Sequence, residues 1–390
     1  MAEQQGPTLE SVSRVAGVSR QTVSNVLNAP ERVRPETRER VLAAIRAVGY
    51  QPNRNARSLR TRASRLLGYC VTPGPADRFN PVLDRFLHAV TDAAEARGYH
   101  VLLFTAPEST KGDMSAYEAL LAQQSVDGFI LSDTVVGDPR QRWLESRGVP
   151  FVAFGRSWTT PEIGSWVDVD GAAGMSDVVD HLYERGHRRI AFIGWPSGSG
   201  VGDDRRRGWT EACQRHGLSV SLQAEGEQSV DTGRRLATSL LDLAEPPTAL
   251  VCVSDLMAVG ALQAVRDRCL RPGHDVAVTG FDDSPLAALP GIDLTSVRQP
   301  LEQIGQDVVR LLLDRLASSS PSPSSASTAA SSPSASTSNS TTTSTSALRP
   351  ASTAATAATA TVTSASPRHV LLRPSLIPRS STVPTLEVPQ

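Results

Sequence analysis

The sequence predicts a chain in two parts: an all-α N-terminal headpiece built on a helix-turn-helix, then an α/β body of doubly wound parallel sheets. Three observations carry this. Apolar residues recur at helical spacing through residues 8–48, then alternate between strand and helix patterns from residue 65 on. The first 65 residues hold twelve Arg, no Lys and five Glu, a net +7, against −8 over the rest of a chain whose total is −1. Finally, 390 residues exceed what one small domain usually holds, and with 39% hydrophobic and 20% charged residues most of the chain can bury a core.

In the headpiece, Leu9, Val12, Val15 and Ala16 form one apolar stripe and Val23, Val26 and Leu27 a second, so two short helices are expected to face each other. Gly17 between them suits the positive φ of a tight reversal. Ser19 suits the cap of the second helix, accepting from the N–H of Gln21 or Thr22. Arg20, Gln21, Ser24 and Asn25 then occupy the face left over once the apolar residues pack. Arg, Gln and Asn are side chains that can contact purine edges in a major groove in bidentate fashion. Two surface helices with solvated polar faces would show the same pattern, but the charge of +7 at this end is the footprint of nucleic-acid binding. A third helix is expected from Pro35 to about Val48, with Glu36 at its positive end and Gly49 ending it. Its Val41, Leu42, Ile45 and Val48 would close a three-helix core.

The run TLESVSRVAGVSRQTVSNVLN, followed by VRPETRERVLAAIRAVGYQPNRNARSLRTR, resembles the headpiece of the lactose-repressor and galactose-repressor family of bacterial transcription factors. The resemblance implies a headpiece over 8–50 that contacts operator DNA through Thr8, Ser19, Arg20, Gln21, Thr22, Ser24, Asn25 and Asn28. It implies a hinge helix over 51–64 that folds on DNA as a pair, one from each subunit, using Asn53, Ala56, Arg57, Leu59 and Arg60. Leu59 would wedge into the minor groove, and Arg57, Arg60 and Arg62 would neutralise phosphates. By composition the same segment is equally a charged linker, too polar to fold by itself. The family commonly has a small hydroxyl residue where Arg34 stands, so the third helix is capped more weakly here or Arg34 is turned toward a phosphate.

From Arg65 the runs LLGYCVTP, YHVLLFTA, DGFILSD and PFVAFGR read as strands, separated by helices at Pro81–Arg97, Met114–Gln123 and Arg140–Ser146. A second round follows: helix at Ala172–Arg185, strand RIAFIGW, helix at Arg207–His216, strand ALVCVSD, helix at Leu256–Arg268 and strand VAVTGFDD. Two similar lobes in one chain look like the periplasmic sugar-binding fold, which the family's body shares. On that resemblance the first lobe takes 65–167 and 298–316, and the second takes 168–297 and 367–382. Residues 317–366 match nothing in the family. They are Ser, Thr, Ala and Pro with Arg349 as the single charge, and are expected to stay disordered as an insertion before one closing strand in RHVLLRPSLIPRSST. The default reading of that insertion is a neutral spacer.

Ligands of an open parallel sheet sit beyond the carboxyl ends of its strands. Gly155-Arg156, Asp170, Asp203-Asp204-Arg205, Ser254-Asp255 and Phe281-Asp282-Asp283 follow such ends. Carboxylates and a guanidinium converging on a cleft suit vicinal hydroxyls. Asp255 and Asp283 could equally cap the next helix, and Arg206 and Arg207 read as surface charges. The family resemblance selects Asp170, Arg205, Ser254, Asp255, Phe281 and Asp282 as effector-binding residues, with Arg205 opening R-x-x-G-aromatic and Asp282 the first acid of G-aromatic-D-D. The family often has Asn where Ser254 stands, and aromatic residues near Val82 and Leu83. Phe79, Trp158, Trp195 and Phe281 are the candidates for a stacking platform instead.

No Walker or dinucleotide loop, no G-x-S-x-G elbow and no metal spacing of the seven histidines is present, which disfavours an enzyme fused to the headpiece. No cofactor is expected. The four cysteines at 70, 213, 252 and 269 read as reduced thiols, and neither a secretory signal nor a membrane span is expected. The resemblance implies a cytoplasmic homodimer or tetramer that represses at palindromic double-stranded DNA and is released by a sugar or sugar derivative. Corepression by a non-sugar ligand is the alternative.

Overall fold

A computed structural model of the chain describes residues 7–50, 63–71, 80–107, 109–160, 162–319 and 366–382. The hinge residues Asn53, Ala56, Arg57, Leu59 and Arg60, the aromatic candidate Phe79 and nearly all of the 317–366 insertion lie outside them. The chain divides after Arg65 into two units.

In the first unit, α1 (Leu9–Ala16), α2 (Arg20–Asn28) and α3 (Pro35–Val48) bury Val12, Ala16, Val23, Val26, Val41 and Ala44 together. Burying one such Val contributes roughly 1.5 to 3 kcal/mol. The apolar stripes are narrower than expected: Val15 is 60% exposed and Leu42 37% exposed. Each lies one residue from a buried position, about 100° round the helix, so periodicity alone assigned them wrongly. Gly17 has φ 63°, and its N–H donates to the Ser13 carbonyl, closing α1. Gly49, with φ 69°, ends α3, and Arg34 makes no side-chain capping bond at its start.

The second unit contains two six-stranded sheets. The first has the order β11-β5-β4-β3-β1-β2, all parallel, from β1 (Leu66–Val71), β2 (His100–Thr105), β3 (Gly128–Leu131), β4 (Phe151–Phe154), β5 (Ser165–Val169) and β11 (His369–Leu372). The second has the order β12-β10-β9-β8-β6-β7, from β6 (Ile190–Gly194), β7 (Gln223–Glu225), β8 (Ala249–Cys252), β9 (Ala277–Asp282), β10 (Thr295–Arg298) and β12 (Ser375–Ile377). Only β12 runs antiparallel to its neighbour. The connecting helices are α4 (Pro81–Glu95), α5 (Ser115–Ala122), α6 (Pro139–Ser146), α7 (Gly171–Glu184), α8 (Val201–Arg215), α9 (Val230–Leu241), α10 (Asp255–Asp267) and α11 (Leu301–Ser319). The apolar faces of α4 and of α7 to α11 join the sheets in a core that includes Met175, Val178, Trp209 and Leu262, while α5 and α6 bury Tyr117 and Leu144 in a second cluster with Phe129 and Phe151. Among the described residues no helix is long and apolar enough to cross a membrane.

Several elements differ from the sequence reading. Helix α8 begins at Val201 rather than Arg207, so Asp203, Asp204 and Arg205 lie on it; the two acids favour its positive end. Strands β7 and β10 and helix α9 had no counterpart in that reading, and β5 entered it only through Asp170 at its end. The closing segment forms two strands, not one, because Pro374 interrupts it: Val370 pairs with Val167 in the first sheet, and Leu376 pairs with Val297 in the second. Placing 367–382 wholly in the second lobe is therefore corrected.

The two ends of the 320–365 stretch lie together. Ser165 Oγ accepts from Arg315 Nη1 at 3.2 Å and from the Arg368 backbone N–H at 3.1 Å, and Arg368 pairs with Asp314 at 3.1 Å.

Candidate functional site

In the headpiece, Thr8 and Ser11 form a capping box: the Ser11 N–H donates to Thr8 Oγ1 at 3.3 Å, and the Thr8 N–H to Ser11 Oγ at 2.8 Å. Ser19 caps α2 by accepting from the Thr22 N–H at 3.1 Å, one of the two partners its position allowed. Arg20, Gln21 and Asn28 are exposed, and Ser24 and Asn25 half-buried. Gln21 Nε2 donates to Asn25 Oδ1 at 2.9 Å, so the two amides stand side by side one turn apart. Asn28 turns back onto its own helix, donating to the Ser24 carbonyl at 2.6 Å.

In the second sheet the strand order reverses between β6 and β8, and the loops leaving those strands bring Trp195 and Ser254 to that gap. Arg205, in the second turn of α8, reaches across it. Its Nη1 donates to the Val253 carbonyl at 2.7 Å and its Nη2 to Asp282 Oδ1 at 3.3 Å. The guanidinium carbon stands 3.7 Å from the centre of the Phe281 ring. Asp282 Oδ1 also accepts from Gln299 Nε2 at 2.7 Å. Asp282 sits at φ 110° and Asp283 at φ 46°, both in the region that favours glycine, a strain of about 1 to 3 kcal/mol each.

Asp255 and Asp283 do not simply cap helices. Asp255, 2% exposed, accepts from the Ser284 N–H at 2.7 Å and from the Ser296 hydroxyl. Burial, and then the charge of Asp282, pushes its carboxyl up to about 7. Asp282 is raised by burial and drawn back by Arg205, while burial lowers Arg205 against the pull of Asp282. Asp283 pairs with Arg298 at 2.6 Å and Arg379 at 2.7 Å.

The site residues predicted from sequence thus divide. Arg205, Phe281 and Asp282 come together, with Ser254 and Asp255 beside them. Asp170 instead caps α7, its Oδ1 accepting from the Ala173 N–H at 2.9 Å. Arg206 is no free surface charge: it bonds the Trp195 carbonyl at 2.7 Å and Glu225 at 2.9 Å. Sequence reasoning missed Gln299, and on the first lobe Asp168, whose Oδ2 holds Arg156 Nε at 2.6 Å. Arg156 also stands 3.7 Å from Asp204 of α8, a contact between the lobes. The alternation in SWVDV, with Asp168 flanked by valines, was the available signal.

At the end of β3 a buried ion pair sets the neighbouring loop. Arg140 and Asp138 approach to 2.6 Å with both side chains 1% exposed, and Arg140 Nη2 donates to the carbonyls of Ser132 and Asp133.

Comparison with known proteins places this geometry. Residues 8–53 match the bacterial regulatory proteins of the lacI family, and residues 179–332 match a periplasmic binding protein-like domain. The HTH-type transcriptional regulator CelR of Thermobifida fusca is 37% identical over 82% of this chain and 95% of its own length. The HTH-type transcriptional repressor CytR of Escherichia coli K12 is 31% identical over 79% of this chain and 89% of its own. Among solved structures, a transcriptional regulator CelR–cellobiose complex superposes with TM-score 0.65 at 31% identity, covering 96% of this chain and 99% of that one. The lac repressor dimer bound to operator and the anti-inducer ONPF does so with TM-score 0.72 at 26% identity, covering 97% and 100%.

Proposed function

The chain belongs to the lacI family of bacterial regulatory proteins, and from that premise we propose that it is a cytoplasmic, homodimeric transcriptional repressor whose hold on a palindromic operator is set by a small carbohydrate-like effector. Two headpieces related by a dimer axis read two half-sites, which is why the operator is palindromic. Arg20, Gln21 and Asn25 read base edges; Thr8, Ser19 and Thr22 lie at helix starts, where backbone N–H groups meet phosphates. Arg205, Ser254, Asp255, Phe281 and Asp282 take the effector. It is a regulator and turns nothing over.

One observation carries this reading: Asp282 accepts from Arg205 and from Gln299 on the same oxygen. Gln299 lies on the chain passing from β10 to α11, which packs on the first lobe. A ligand that competes for Asp282 therefore acts on the crossing between the lobes, and an effector shifts an equilibrium only through such differential contacts. The test is a mobility-shift assay of the protein on its own upstream DNA, with and without a panel of sugars. Release of a shifted band by a sugar is expected. A band that forms only when ligand is added makes corepression the mode, and no band at all removes the DNA reading.

A further inference from the structure

We propose that Asp255 is a positioning residue whose protonation is linked to effector binding, so that the protein takes up a proton from solvent when the pocket at Arg205 and Asp282 is filled. This rests on the reading that the pocket takes the effector, and adds a proton to the binding equilibrium and a pH range over which the response changes.

The turn that carries Asp282 and Asp283 is tied to Asp255 by two routes. The Ser284 N–H donates to Asp255 Oδ2 at 2.7 Å. The Ser296 hydroxyl donates to Asp255 Oδ1 and itself accepts from the Asp283 N–H at 2.9 Å. Gly280 on β9 makes room for this arrangement, because a β-carbon there would collide with Asp255 Oδ1. Asp255 is 2% exposed, so its charge reaches a bound effector through the turn it holds.

Ion pairing sets Asp255 apart. Asp168 holds Arg156, Asp204 holds Arg207, Asp282 holds Arg205, Asp307 holds Arg310, and Asp283 holds both Arg298 and Arg379. Asp255 is the one buried aspartate with no cation on its carboxylate among the described residues; its partners are an amide and a hydroxyl. A buried carboxyl with no cation beside it keeps its proton to higher pH. Burial, then the charge of Asp282, accordingly lifts Asp255 to about 7 against the pull of its two donors.

The groups packed around it leave the balance to Asp282 and Arg205. On β8 the Cys252 thiol is pushed up by burial, then by the charge of Asp255, and stays neutral. After β9, Asp283 is matched by its two arginines. On α9, which packs along α10, Asp231 and Arg235 are exposed and Arg234 is held by Asp267 at 2.7 Å. From α8, Arg205 alone reaches Asp282. An effector that engages Arg205 draws the guanidinium away from Asp282, and its bulk removes water from the pocket. Both changes disfavour neighbouring negative charges on Asp282 and Asp255, so Asp255 holds its proton more tightly in the complex.

Isothermal titration of the full chain with glucose, cellobiose, maltose and lactose tests this, run across pH and in two buffers of different ionisation enthalpy. The tightest of these sugars is expected to bind roughly tenfold more weakly at about pH 8 than at about pH 6, and to take up more than about half a proton at about pH 7.5. Asp255→Asn, whose amide does not titrate, is expected to lose both the slope and the proton uptake. His181→Gln, which removes a buried titrating group outside the pocket, is expected to keep both. Without sugar, the infrared C=O band of a protonated carboxyl is expected at about pH 6 in the wild type and to be missing from Asp255→Asn. Sugar binding that ignores pH, a slope that survives in Asp255→Asn, or an infrared band unchanged by that substitution overturns the linkage and leaves sugar control standing. If no sugar binds while operator DNA is still shifted, the linkage and the carbohydrate reading fall together, and the DNA reading survives.

Discussion

Nη2 of Arg205 lies 3.3 Å from Oδ1 of Asp282. On the proposed reading, removing either partner removes differential contacts of the effector without altering the headpiece. Asp282→Asn and Arg205→Ala are therefore expected to abolish the effector's release of operator and to leave operator affinity in its absence unchanged. Mobility shifts with and without sugar check this; normal release in both variants places the site elsewhere.

Gln21 and Asn25 form a bonded amide pair on the exposed side of α2, so Gln21 is presented in one orientation before DNA arrives. Gln21→Ala and Arg20→Ala should each cost about 1 to 3 kcal/mol on the cognate operator and relax base preference. Affinities for operator and for random DNA, measured at one salt concentration, decide the matter. Equal losses on both would mean that these side chains hold phosphates rather than read bases.

The Arg140–Asp138 pair is buried on both sides. Arg140→Met leaves Asp138 with an unmatched buried charge and is expected to cost about 3 to 5 kcal/mol, read from the urea midpoint. Adding Asp138→Leu should restore part of that loss, less about 1 kcal/mol because Asp138 also caps α6. A double variant no more stable than the single one would show that the pair does not act as a unit.

Asp255 and His181 titrate in opposite senses. Burial lifts Asp255 to about 7, and burial, aided by Arg185, lowers His181 to about 4, against unfolded values of about 3.9 and 6.5. The folded chain holds a proton on Asp255 that the unfolded chain gives up, so this contribution is full below about pH 4 and lost as pH rises to about 7. The contribution of neutral His181 is full above about pH 6.5 and lost as pH falls toward 4. The slopes oppose in the wild type. Asp255→Asn should leave stability falling with acid, and His181→Gln should leave it falling with base. Urea midpoints across this range that move in parallel for both variants would refute the assignment.

The ends of the 317–366 insertion meet at Ser165. Closing a loop of about fifty residues instead of a few costs roughly 2 kcal/mol, so replacing Ser318–Ser366 with a short Gly-Ser linker should stabilise the protein slightly and leave both affinities unchanged. Truncation at Ser318 also removes β11 and β12 and bares an edge of each sheet. That variant is expected to aggregate; a soluble, sugar-responsive truncation would show both strands to be dispensable.

The headpiece was the most legible part, because Gly17, Ser19 and the apolar stripes are local signals whose partners lie within a few residues. The strand ends of the body were legible for the same reason. Val15 and Leu42 were misassigned because a stripe's width depends on the helix packed against it. Asp168, Gln299 and the partners of Asp255 escaped because each gains its meaning from a residue brought to it by the fold: Arg156 from the end of the neighbouring strand, Asp282 from the preceding strand, Ser284 and Ser296 from beyond the next. Asp170 illustrates the reverse: it stands where a ligand residue would stand, and its carboxylate caps a helix.

Because residues 369–377 supply an outer strand to each sheet, neither lobe can finish its hydrogen-bonded sheet while the ribosome is still reading the insertion. At about 5 to 20 residues per second, roughly fifty residues delay the last strands by about 2 to 10 seconds after α11 has emerged. Through that interval the nascent chain carries two unfinished lobes with open edges at β5 and β10. The low-complexity stretch thus sets a waiting time in biosynthesis, during which holding chaperones have the most to bind.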